Sequence, residues 1–96
     1  MSLSFKSCAI GEPGAQALAM ALPPGLRRLS LDFTRSGIGA GGALQVAERL
    51  PSALRTLDLN FTDNGIGEAS ARVIAGLVPA SIAAKTIICD PDRYWR

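Results

Sequence analysis

The chain has 96 residues, of which 48% are hydrophobic, 5% aromatic and 19% charged, with a net charge of +2. That composition excludes two domains, a disordered polyampholyte and a strongly basic nucleic-acid binder, and it requires an interior filled by Ala, Leu, Ile and Val. No histidine is present, so the commonest general base and the commonest neutral metal ligand are both missing, and neither catalysis nor a metal or cofactor is expected.

In chain order, Leu3 and Phe5 alternate with polar residues as a strand does, and Ala15, Leu18, Ala19 and Leu22 then recur at helical spacing up to Pro23. The same switch of period follows twice. Leu29, Leu31 and Phe33 precede Ala43, Val46, Ala47 and Leu50, with Pro51 after them; Leu57, Leu59 and Phe61 precede Ala71, Ile74, Ala75 and Val78, with Pro79 after them. Ile82, Lys85, Ile87 and Cys89 then align with Leu54, Leu57, Leu59 and Phe61, which predicts a fourth strand without a following helix.

These units are one repeat. Ile10-Gly11, Ile38-Gly39 and Ile66-Gly67 recur at one constant step, and the same step relates all three phenylalanines, the alanines at 15, 43 and 71, and the prolines at 23, 51 and 79. Each unit reads as one strand and one helix. The Ile-Gly glycine falls in the turn before the helix, where a positive φ or close packing is expected. A spacing of the dinucleotide-loop kind, Gly37-x-Gly39-x-x-Gly42, follows from the repeat, since Gly11 and Gly14 hold two of the equivalent places one unit earlier.

Leu31-x-Phe33-x-x-Ser36-x-Ile38-Gly39 and Leu59-x-Phe61-x-x-Asn64-x-Ile66-Gly67 resemble the leucine-rich repeat signature, and the long helical half resembles its ribonuclease-inhibitor-like subclass. The resemblance runs over roughly residues 1 to 90. It implies an α/β fold: a right-handed βα solenoid, a horseshoe segment with its parallel sheet on the concave side and its helices on the convex side. The chain is then one leucine-rich-repeat domain, residues 1–96, with units at about 1–25, 26–53 and 54–81 and a partial unit and tail at 82–96. In the family's asparagine column stand Cys8, Ser36 and Asn64, whose expected role is to bond backbone groups in the turn after each strand.

Concave-face columns supply the candidate binding surface. They run Ser2, Ser30 and Asp58; Ser4, Asp32 and Asn60; Lys6, Thr34 and Thr62; and at the edge Ser7, Arg35 and Asp63. Asp32 and Asp58 form an acidic pair on neighbouring strands, but no nucleophile, metal-ligand set or phosphate loop accompanies them. Candidate convex contacts are Met20, Leu44, Val73 and Leu77, apolar residues where a solvated helix face carries more Lys and Glu. Arg27, Arg28 and Arg55 lead into strands as a small basic rim, with Arg35 and Arg49 nearby, that reads as a solubilising surface or a contact for phosphate or an acidic protein surface; because Asp32, Glu48 and Asp58 are interleaved and no aromatic stacking platform accompanies them, no nucleic-acid binding is expected.

Met1 occupies the column of Leu29 and Leu57, so the N-terminal edge reads as uncapped: a fragment, a self-associating chain, or a subunit covered in an assembly. At the other end Tyr94 and Trp95 are either a partial cap over the last apolar layer, an anchor for a partner, or a disordered terminus. Cys8 and Cys89, too few for a stapled secreted domain, are expected reduced, largely buried and too far apart to bridge. The most apolar window, from Ala15 to Leu22, falls well short of the roughly 20 residues that span a bilayer, so no membrane insertion is expected. The stretch from Met1 to Ile10 lacks a signal-peptide apolar run, and the expected location is cytoplasmic or otherwise intracellular. The functional expectation is a non-enzymatic protein–protein interaction scaffold; the alternative is a structural or accessory subunit, or a piece of a longer repeat protein, whose solenoid end or convex helices are covered by neighbours.

Overall fold

A computed structural model describes the backbone of residues 1–90 and 93–95 and the side chains of residues 1–89. Strands and helices alternate: β1 (Ser2–Ser4), α1 (Gly11–Ala21), β2 (Arg28–Asp32), α2 (Gly39–Glu48), β3 (Thr56–Asn60), α3 (Gly67–Leu77), β4 (Ala84–Asp90) and β5 (Arg93–Trp95). The first four strands run parallel in chain order, and β5 pairs antiparallel with β4. The architecture is a βα solenoid. Register follows the repeat: Leu3 lies beside Leu31, Leu31 beside Leu59 and Leu59 beside Ile87. A one-residue slip would turn every leucine onto the open face, which is why the alternation fixes the pairing.

One face of the sheet is buried against the helices. Leu29, Leu31, Phe33, Leu57, Leu59 and Phe61 point into the core and meet the buried helix stripe of Ala15, Ala19, Ala43, Val46, Ala47, Ala71 and Ile74. Small stripe residues let helices and sheet lie close, so few aromatic side chains are needed to fill the interior. The phenylalanines stack along the solenoid axis, Phe5 on Phe33 at 5.5 Å and Phe33 on Phe61 at 5.7 Å between ring centroids. These separations lie in the favourable range for aromatic pairs.

Turn chemistry repeats with equal regularity. After each helix the proline carbonyl accepts from the amide three residues on, Pro23 from Leu26, Pro51 from Leu54 and Pro79 from Ile82, which closes a turn into the next strand. Before each helix the glycines at 11, 39 and 67 hold φ of +68°, +66° and +76°, the left-handed backbone that the Ile-Gly pairs foretold. Gly42 has a different role. A Cβ there would stand 2.9 Å from Ile38 Cβ and 3.3 Å from Ala15 Cβ, so its absence sets how closely α1 and α2 approach.

Three expectations need correction or completion. Cys89 is buried but Cys8 is exposed, because β1 is an edge strand and, among the described residues, no unit covers its outer side. Neither thiol is in a disulfide. Leu44 is half-buried and packed on the core rather than standing free on the convex face. The tail carrying Tyr94 and Trp95 places its backbone beside β4, with Ile88 opposite Tyr94 and Ile87 opposite Trp95. Whether those two side chains cap the last apolar layer lies outside the described residues.

Candidate functional site: the polar face of the sheet

Residues one position away from each buried leucine must point to the opposite side of the sheet. The register therefore assembles the predicted columns: Ser2 beside Ser30 and Ser30 beside Asp58, then Ser4 beside Asp32 and Asp32 beside Asn60. Ser2, Ser4, Lys6 and Asp58 are exposed, while Ser30, Asp32, Thr34, Asn60 and Thr62 are half-buried. β4 continues the two columns with Thr86 and Ile88.

A side-chain device that the column reading missed stiffens this face. Thr34 donates both its backbone amide, at 2.9 Å, and its hydroxyl to Oδ1 of Asp32; one repeat on, Thr62 donates its amide, at 3.0 Å, and its hydroxyl to Oδ1 of Asn60. The sequence signal was present as Asp-Phe-Thr and Asn-Phe-Thr, since Asp and Asn favour bonds to the backbone two residues on. The consequence separates the two acids. Asp32 is engaged locally, whereas Asp58 presents its carboxylate to solvent, and the strand register sets them diagonally rather than opposite each other.

At the edge where the strands end, Arg35 Nε donates to Asp63 Oδ2 at 3.1 Å across one repeat step. Both side chains are largely in water, so the pair contributes at most about 1 kcal/mol. Ser7, Arg35 and Asp63 hold φ of +57°, +54° and +59°, so all three residues of this column sit on left-handed backbone. For residues other than glycine that backbone costs roughly 1–2 kcal/mol each. The turn persists because the asparagine column locks it. Asn64, buried, accepts from the amides of Ser36 (3.1 Å) and Ile38 (3.3 Å) and donates to the carbonyls of Phe33 (2.7 Å), Phe61 (3.0 Å) and Thr62 (3.2 Å). Ser36 fills the same role for the first unit through its hydroxyl, which donates to the Phe5 carbonyl.

The convex candidates do not come together. Met20 on α1 is 64% exposed, and Val73 and Leu77 on α3 are 52% and 38% exposed, but α2 separates the two helices and its Leu44 is half-covered. Val73 and Leu77, four residues apart, share a face of α3.

Chemically, the open face offers hydroxyls, an amide, the ammonium of Lys6 and the open carboxylate of Asp58 at strand spacing. Among the described residues no group of three or more His, Cys, Asp or Glu side chains is placed to hold a metal ion, and no helix is long and apolar enough to cross a membrane. A family described as Leucine Rich repeat matches residues 1–19, which span β1 and most of α1. That match supports a leucine-rich repeat. No curated protein and no solved structure matches the chain.

Proposed function

We propose that the chain is a single leucine-rich-repeat domain of the ribonuclease-inhibitor-like subclass that works inside the cell as a non-enzymatic protein–protein interaction scaffold. The carrying observation is the register of its open face. Polar side chains stand in straight columns across β1, β2 and β3, and the bonds from Thr34 to Asp32 and from Thr62 to Asn60 hold the columns in one conformation before any partner arrives. Preordering of that kind lowers the entropy lost on binding. Ser4, Lys6, Ser30, Asp32, Thr34, Arg35, Asp58, Asn60, Thr62 and Asp63 are the contact surface in this reading.

The accessory-subunit reading has its own observation. Leu3 and Phe5 are only half-buried, whereas Leu31, Leu59, Phe33 and Phe61 in the same columns are fully covered. A neighbour lying on β1 completes the first layer in that arrangement.

Affinity capture from cell extract with the wild-type chain and with a Ser30→Arg/Asp58→Arg variant tests the first reading. Capture of a protein by the wild type and its loss from a variant with an unchanged circular dichroism spectrum is the expected outcome. Equal capture by both refutes the assignment of the face. Light scattering tests the second reading, because a monomer that stays folded on dilution is incompatible with a chain held together by neighbours.

A further inference from the structure

We propose that the rim where the strands begin binds an acidic segment of a partner protein, through Arg27, Arg28 and Arg55 with Lys85 beside them. This deepens the interaction-module reading and rests on it. The three arginines are brought together by the sheet itself: Arg28 opens β2, Arg55 immediately precedes β3, and the Arg27 carbonyl accepts from the amides of both Arg55 (2.7 Å) and Thr56 (3.0 Å). Lys85, in β4, stands beside Leu57.

All three arginines are exposed, and none of their side chains makes a hydrogen bond or an ion pair among the described residues. Of the other described arginines, Arg49 is exposed after α2 without an ion pair among the described residues, and two are paired. Arg35 is paired with Asp63 where the strands end, and Arg72 is paired with Glu68 on α3. Guanidinium groups on adjacent strands, with no acidic partner among the described residues, are poised for bidentate contacts to carboxylates.

An acidic protein segment fits better than a nucleic acid. The described aromatic side chains, Phe5, Phe33 and Phe61, are stacked on one another at the other side of the sheet's leucine columns, so among the described residues no ring is offered to a base at this rim.

The test is a titration of the ¹⁵N-labelled chain with a hexaglutamate peptide at about 50 mM salt, where screening is modest. Saturable amide shifts centred on residues 27–28, 55–56 and 84–85 are expected. Arg27→Glu and Arg55→Glu each weaken binding about tenfold, while Arg72→Glu, an equal charge reversal elsewhere, changes it less than about twofold. The proposal is overturned by shifts that do not saturate, by shifts centred elsewhere, by an equal loss with Arg72→Glu, or by tighter binding of hexadeoxyadenylate or phosphatidylserine vesicles. If the peptide fails while capture still depends on Ser30 and Asp58, the rim assignment falls and the interaction module stands; if capture fails as well, both fall.

Discussion

Replacing Asn64 by alanine is expected to cost about 3–4 kcal/mol, and the structure shows why one amide carries so much. The side chain accepts from two amides and donates to three carbonyls in a turn that is 7% exposed at Asn64. Leaving a buried amide unsatisfied costs roughly 1–3 kcal/mol, and two are stranded here; the carbonyls, closer to the surface and with other lone pairs, add less. Against a typical total of about 5–15 kcal/mol that is a large fraction. Urea unfolding followed by circular dichroism measures it. Asn64→Ser, which installs the residue natural to position 36, is expected to cost about 1–2 kcal/mol, since a hydroxyl restores one carbonyl bond. Asn64→Asp keeps the acceptor but turns a carboxylate toward three carbonyls. That variant is therefore expected to be less stable than the wild type at neutral pH in the same urea assay, because the carbonyls of Phe33, Phe61 and Thr62 lose their donor. A loss under about 1 kcal/mol for Asn64→Ala at neutral pH refutes the claim that this column holds the turns.

Phe33→Ala removes a fully buried ring stacked on both sides and is expected to cost about 3–5 kcal/mol in the same assay, with Phe5→Ala costing clearly less because Phe5 is half-exposed and has one stacked neighbour. Gly42→Ala forces α1 and α2 apart; overpacking of about 1–3 kcal/mol exceeds the roughly 1 kcal/mol gained in helix propensity, so a net loss is expected by thermal unfolding. Gly76→Ala, with open space around it, is expected to be neutral or stabilising. A thiol reagent added to the native chain is expected to label Cys8 at once and Cys89 only on unfolding; equal rates contradict the burial assigned to β4.

Most of the scaffold was legible because one physical requirement recurs in every unit. The leucines at 29, 31, 57 and 59 must share a face, the alanines at 15, 43 and 71 must admit a neighbouring sheet, and the glycines at 11, 39 and 67 must take a positive φ; each column confirms the others. What escaped depends on neighbours rather than on pattern. Cys8 occupies the same column as Ser36 and Asn64, but its exposure follows from β1 lying at the edge of the sheet. Leu44 sits at a position that looks outward on a helical wheel and is half-covered in the fold. β5 has no counterpart earlier in the chain, so no repeat could reveal its antiparallel return. Within the candidate site the columns were readable, but the threonine bonds to Asp32 and Asn60 and the Arg35–Asp63 pair were not drawn from them, although Asp-x-Thr, Asn-x-Thr and an opposite-charge pair one repeat apart were all present.

In the proposed function a protein partner sits on the polar columns of the sheet. Amide shift mapping of the labelled chain with its captured partner tests it most directly. Changes centred on residues 30–35 and 58–63 are the predicted result; changes confined to α1 and α3, with those strands and turns unmoved, contradict it.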